Sequence, residues 1–250
     1  MPKTLIHQIP VVKKPKPTEP YIDIAEMFSD TIQGEGVYAG MISTFLRVQG
    51  CTLECVWCDT LEVWRYGNPY TFNEIYAIWE SAGMIEKFRN GQSLILTGGS
   101  PLKQQNMLTL LIQGFVAKYG FKPHIQVENE GVLMPTPEFT ALVDVWNNSP
   151  KLANSQMKER ARLKPDVIKY LSSLKDSWFK FVITGPLDWD EIVHDYLPLI
   201  RKNQIILMPE GVTQEELAVN REMVADLAIE HGVRYSDRMH IIIWNLKTGV

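Results

Sequence analysis

The 250-residue sequence predicts an α/β fold: an incomplete, TIM-type α/β barrel of parallel strands joined by crossover helices. Short apolar runs of strand length alternate with amphipathic segments, and that alternation favours parallel pairing through helical crossovers. Two capping boxes mark helix starts between such runs. The strand-like runs are too few to close an eightfold barrel.

Taken in order, residues 1–20 form a Pro/Lys-rich arm, Pro10-Val-Val-Lys-Lys-Pro15-Lys-Pro17-Thr-Glu-Pro20. Its prolines remove helix donors and leave no core-facing stripe, so an extended, solvated arm is expected, followed by a single domain over 21–250. Strands are expected at 42–48, 93–97, 124–128, 141–146, 178–183 and 204–208, each rich in β-branched or aromatic residues. Thr71-Phe-Asn-Glu74 opens a helix to about residue 88, and Thr213-Gln-Glu-Glu216 opens another to about residue 231. Near the end, Met239-His240-Ile-Ile-Ile-Trp244 is an apolar run that would anchor the tail.

Composition sets bounds on function. With 45% hydrophobic and 22% charged residues the chain reads as globular, and a net charge of −4 offers no basic footprint for nucleic acid. No stretch approaches the roughly 18 consecutive apolar residues of a membrane span, and the start lacks a signal-peptide core. A cytoplasmic location is expected, with neither membrane nor nucleic acid as a partner.

The chemistry concentrates in one place. All three cysteines lie in Cys51-Thr-Leu-Glu-Cys55-Val-Trp-Cys58. An odd number at C-x3-C-x2-C spacing cannot make a paired disulfide framework, but three thiolates can ligate one iron–sulfur cluster and leave a fourth site open. Structural zinc is the competing reading. It would need a distant ligand, because none of the five histidines lies near the window or forms an H-x3-5-H pair.

The Cys51-x3-Cys55-x2-Cys58 spacing, with an aromatic at Trp57, resembles that of the radical S-adenosylmethionine (SAM) enzymes. The flanks Phe28-Ser-Asp-Thr-Ile-Gln33-Gly34-Glu35-Gly36, Phe45-Leu-Arg47-Val-Gln-Gly50 and Asp59-Thr60 are similar to the 7-carboxy-7-deazaguanine synthase family. So are Leu96-Thr97-Gly98-Gly99-Ser100-Pro101, Val127-Glu128-Asn-Glu-Gly131, Ser149-Pro150-Lys151, Met208-Pro209-Glu210-Gly211 and Arg238-Met-His240. The resemblance runs from about residue 22 to the terminal Gly249-Val250.

It implies a radical SAM core with a [4Fe–4S] cluster on Cys51, Cys55 and Cys58, in which one electron cleaves SAM to a 5′-deoxyadenosyl radical. SAM contacts would come from Trp57, Asp59, Gly98, Gly99, Ser100, Glu128, Ser149, Pro150, Lys151, Met208, Pro209 and Glu210. The glycines would let backbone approach the methionine part of SAM. Substrate contacts would come from Ile32, Gln33, Gly34, Glu35, Arg47, Thr97, His240 and Val250, with Arg47 as a fork for the carboxylate of 6-carboxy-5,6,7,8-tetrahydropterin. Thr60 would offer its hydroxyl to Mg2+.

The implied reaction abstracts hydrogen from C6 of the pterin, contracts its ring and releases ammonia, giving 7-carboxy-7-deazaguanine. A flavodoxin- or ferredoxin-type electron donor and a homodimer are implied as well. Two other readings stand beside it: a radical SAM enzyme for another substrate, such as an activating enzyme, and a non-catalytic zinc-stabilised binding module.

Two positions depart from the family pattern. Ser100 stands where Gly-Gly-Glu-Pro would place a carboxylate for the SAM ammonium, and Asn245 stands where glycine is expected. A charge-assisted hydrogen bond contributes about 1.5–3 kcal/mol, so the change at position 100 bears on SAM affinity. Ser100 itself or Glu128 could supply a compensating contact.

Overall fold

The structure, a computed structural model, describes residues 2–7, 12–247 and 249. Its strands are β1 (Lys3–Ile6), β2 (Tyr21–Ile32), β3 (Ile42–Val48), β4 (Asn68–Thr71), β5 (Ser93–Gly98), β6 (Ile125–Asn129), β7 (Val145–Asn148), β8 (Ser177–Ile183), β9 (Ile205–Pro209) and β10 (Arg234–Tyr235). Helices α1 (Leu61–Arg65), α2 (Phe72–Ser81), α3 (Met84–Arg89), α4 (Gln105–Tyr119), α5 (Pro137–Thr140), α6 (Glu159–Arg162), α7 (Pro165–Ser173), α8 (Asp188–Glu191), α9 (Gln214–His231) and α10 (Met239–Trp244) lie between and after them.

The strands form one open sheet in the order β1-β2-β3-β5-β6-β7-β8-β9-β10, with β4 paired to the start of β2. From β3 to β10 every neighbouring pair along this path is parallel, whereas β1, β2 and β4 pair antiparallel. The expected incomplete α/β barrel is therefore present, with an antiparallel margin in front of it.

The two faces of the sheet differ by the period-2 rule. Leu46 and Val48 on β3, Leu94 and Leu96 on β5, Ile125 and Val127 on β6, Phe179 and Phe181 on β8, and Ile205 and Leu207 on β9 share one core. Helical Ile75, Trp79, Leu108, Leu111, Phe115, Val224 and Leu227 pack into it. Trp79 and Phe115 are fully buried with centroids 5.7 Å apart, edge to face, and each such side chain contributes about 1.5–3 kcal/mol on burial. The alternate positions Phe45, Arg47, Thr97, Glu128, Lys180, Val182 and Met208 point the other way and line a cavity.

Several expectations need correction. The strand expected at 141–146 begins only at Val145, because Thr136 caps α5 by accepting from the Phe139 N–H and residues 141–142 turn off its end. The helix opened by Thr71 stops at Ser81. Gly83, at φ +70°, breaks it before α3 begins. The box at Thr213 opens α9 as expected, and α9 ends against Gly232 at φ +59°.

The arm is not simply solvated. Lys3–Ile6 pairs with β2, Ile6 is 5% exposed, and the Lys14 N–H donates to Asn68 Oδ1 at 2.9 Å while its ammonium meets Glu74 at 3.0 Å. At the other end the apolar run forms α10, where Ile241 is buried but Ile243 is 51% exposed, so the anchor is narrower than its composition suggests. Asn245 keeps the backbone that glycine would adopt, φ +52° and ψ −128°, and its Oδ1 accepts from the Gln214 N–H at 3.3 Å.

Candidate active site

A cavity of ≈ 230 Å3 opens at the carboxyl ends of the parallel strands. Of the residues expected to bind cluster, cofactor or substrate, it gathers Ile32, Gln33, Gly34, Glu35, Arg47, Cys51, Cys55, Trp57, Cys58, Asp59, Thr60, Thr97, Gly98, Gly99, Glu128, Ser149, Lys151, Met208, Pro209, Glu210 and His240. Ser100 and Pro150 sit behind its wall, both buried. Val250 lies outside the described residues.

The cysteine loop is held from both sides. Gly50 donates to the Trp64 carbonyl at 2.9 Å, Ser100 N–H reaches back to the Gly50 carbonyl at 2.7 Å, and Val56 N–H donates to the Ser155 carbonyl at 3.2 Å. A Cβ on Gly99 would stand 2.3 Å from the Gly50 oxygen and 2.7 Å from the Cys51 Cβ. The glycine expected to admit SAM is thus demanded first by the cysteine loop itself, which packs directly on the turn after β5.

Burial pushes the Cys51 thiol up to about 11, ahead of the Leu53 N–H that lowers it, and burial likewise raises Cys55. To ligate a metal centre, both thiols would have to release their protons to solvent. Among the described residues no three or more His, Cys, Asp and Glu side chains converge to hold a single metal ion. Three soft thiols facing one cavity suit ligation of an iron–sulfur cluster, whose thiolates sit on separate irons.

Opposite the loop lies a chain of charges that runs from buried Lys180 and Arg238 through half-buried Glu35 to exposed Asp59. Lys180 of β8 is hydrogen-bonded to Glu35 Oε2, Arg238 Nε donates to Glu35 Oε1 at 2.9 Å, and Arg238 Nη2 is bonded to Asp59 directly after Cys58. Arg238 Nη1 completes its fork on the Gly211 carbonyl at 2.7 Å. Burial alone would raise the Glu35 carboxyl, but Lys180, Arg238 and His240 together hold it well below its ordinary 4.5.

A second group is tied internally. Glu128 accepts from Gln33 Nε2 and from Thr97 Oγ1, each at 3.0 Å, so three residues expected as separate ligand contacts form one unit. Arg47 is committed on two edges, Nε to Glu26 at 2.7 Å and Nη1 to the Gly98 carbonyl at 3.3 Å. Its Nη2 makes no hydrogen bond among the described residues. That edge is what the guanidinium offers to a ligand carboxylate.

Trp57 Nε1 donates to Asn154 at 3.3 Å, and the Lys151 ammonium lies 5.2 Å from the Trp57 ring and 2.9 Å from Ser149 Oγ. Thr60 Oγ1 is 3.7 Å from the Cys58 sulfur and makes no capping bond to α1. His240 packs over Gly34, where a Cβ would fall 2.1 Å from its Nδ1, and its Nε2 is 4.0 Å from Glu35.

Sequence reading passed over Lys180, Glu26, Glu130 and Arg238 as site residues, although two had a signal. Lys180 breaks an apolar strand, and a lysine there requires an acidic partner. Glu26 is likewise a charge inside a strand, paired through the register that sets it opposite Arg47.

His240 and Glu35 make stability depend on pH in a defined way. Burial holds the His240 imidazole below its ordinary 6.5, outweighing the upward pull of Glu35. At both sites the folded protein binds fewer protons than the unfolded chain, so each contribution is fully present at high pH and declines on acidification. Thermal melts should weaken first below about pH 6.5 as His240 must charge, and again below about pH 4.5 as Glu35 is protonated. His240→Asn should remove the first decline; a wild-type melt unchanged from pH 7 to 5 would contradict the assignment.

The chain matches the family model described as a 4Fe-4S single cluster domain over residues 32–132. It is 33% identical to the 7-carboxy-7-deazaguanine synthase of Halobacterium salinarum, covering 90% of this chain and 91% of the relative. It is 30% identical to the enzyme of that name from Pyrobaculum aerophilum, covering 92% and 98%. Among solved structures, QueE from Escherichia coli superposes with a TM-score of 0.62 at 21% identity, covering 88% of this chain and 95% of the other. That last likeness concerns the fold.

Proposed function

As the chain belongs to the 7-carboxy-7-deazaguanine synthase family, we infer that its cavity converts 6-carboxy-5,6,7,8-tetrahydropterin to 7-carboxy-7-deazaguanine with loss of ammonia. It is a radical SAM carbon–nitrogen lyase that uses a [4Fe–4S] cluster and SAM. The observation that carries the substrate reading is that the cysteine loop and a polar wall made of Arg47, Glu35, Gln33 and His240 face one cavity.

Cys51, Cys55 and Cys58 would hold the cluster, which with SAM supplies the hydrogen-abstracting radical. The remaining work falls to the chain. Arg47 is held flat by Glu26 and presents its Nη2 edge to the substrate carboxylate. The Gln33–Glu128–Thr97 unit offers a fixed donor–acceptor array to the pterin edge, an arrangement that rejects analogues unable to match it. His240 is neutral near pH 7 and able to share a proton with a bound amine or carbonyl.

Thr60 would offer its hydroxyl to Mg2+, a hard cation that would help hold the substrate's oxygens. A homodimer, a flavodoxin- or ferredoxin-type electron donor and residence in the cytoplasm complete the proposal, each on the strength of the family resemblance. Among the described residues no helix is long and apolar enough to cross a membrane.

The test is anaerobic turnover of cluster-loaded protein with SAM, Mg2+, a reductant and the carboxypterin. The expected result is stoichiometric 7-carboxy-7-deazaguanine and ammonia. SAM cleavage that never yields the deazaguanine would keep the radical chemistry and overturn the substrate.

A further inference from the structure

Position 100 lacks the carboxylate that the sequence pattern leads one to expect, yet a carboxylate stands in contact with it. Ser100 is fully buried and its Oγ donates to Glu130 Oε1 at 2.8 Å. Thr52, next to Cys51, donates to the same oxygen at 2.6 Å. Two hydroxyls thus saturate one oxygen of Glu130. The other, Oε2, is buried and has no hydrogen-bond partner among the described residues, in a residue only 5% exposed.

Glu130 lines the cavity with Cys51 and Gly99, at the carboxyl end of β6. Its turn is fixed by the Gly131 N–H donating to Asn129 Oδ1 at 2.7 Å, with Gly131 at φ +72°. Among the described residues no cation is hydrogen-bonded to the Glu130 carboxylate, whose partners are the two hydroxyls. Lys151 does not neutralise it by hydrogen bonding; that ammonium is turned to Ser149. A buried carboxylate with one oxygen unanswered is costly unless a donor arrives.

We infer that Glu130 accepts the hydrogen bond of the SAM α-amino group, the acid having moved from the turn after β5 to the turn after β6. Ser100 is then a positioning residue: with Thr52 it occupies Oε1 and leaves Oε2 for the ligand. The inference rests on SAM being the cofactor and goes beyond that reading by assigning the acid. It also removes the expected penalty of a serine at position 100.

The experiment measures anaerobic binding of SAM, and of a SAM analogue lacking the α-amino group, to cluster-loaded protein by calorimetry, with iron content recorded for every sample. The wild type should bind SAM at least about tenfold more tightly than the analogue. In Glu130→Gln that preference should shrink about ten- to hundredfold, the range of one charge-assisted bond, with affinity for the analogue unchanged. A wild type that binds both compounds alike overturns the inference without any variant being made. A Glu130→Gln protein that keeps the preference also overturns it. Cluster-loaded wild type that binds neither compound sinks the cofactor reading, a result distinct from either.

Discussion

Cys55→Ala is expected to abolish turnover, to the uncatalysed background and so by roughly 10^6-fold or more. The same variant should lose its bound iron and the visible absorbance of a thiolate-ligated cluster. Cys55 is 8% exposed on a loop held by backbone bonds to Trp64, Ser100 and Ser155, none of which uses its sulfur. The helix–sheet core around Trp79 and Phe115 lies elsewhere. The protein should therefore still fold, with far-UV circular dichroism and a melting transition close to those of cluster-free wild type. Iron retained at the wild-type ratio would show that Cys55 is not a ligand.

Arg238→Met is expected to lower stability by about 3–5 kcal/mol, the cost of removing one partner of a buried ion pair. For a chain of this size that corresponds to a melting temperature roughly 10 °C lower. The guanidinium answers Glu35, Asp59 and the Gly211 carbonyl at once, and its side chain is 11% exposed. Its loss leaves Asp59 without its hydrogen-bonded cation and Glu35 with Lys180 as the one cation still hydrogen-bonded to it among the described residues. Because Asp59 follows Cys58, cluster occupancy should fall as well. A melting temperature within about 2 °C of wild type would mean that the chain of charges contributes little.

Legibility in the sequence followed the physics of each element. Strands β3, β5, β6, β8 and β9 are short β-branched runs buried on both faces, and each was readable to within a residue or so at either end. The twelve-residue β2 was not expected as a strand: Glu26, Ser29 and Asp30 interrupt its apolar run, Asp30 sits at φ +59°, and its register shifts twice against β3. In β7 the polar pair Asn147-Asn148 looks like a loop. Asn148 is in fact fully buried, donating to Ser177 Oγ at 2.9 Å and the Trp178 carbonyl at 3.0 Å.

The site divides the same way. Cysteine spacing and the turns after β5 and β9 are local patterns, and the residues they pick out line one cavity. Lys180–Glu35, Arg238–Asp59 and Ser100–Glu130 join residues 145, 179 and 30 positions apart, and no local pattern encodes such a partner. Their signal is negative: a charge where a strand or a buried turn should be apolar.

The bond between Asp59 and Arg238 joins residues 179 positions apart, which constrains the order of events during synthesis. The cysteine loop leaves the ribosome well before the arginine that fixes its last turn, which follows Asp59 by 179 residues. A nascent chain can build β3, β5 and the helices between them before that clasp exists. The loop reaches its final shape only once Arg238 has emerged and docked, so iron and sulfide delivered earlier would meet cysteines not yet clasped in place.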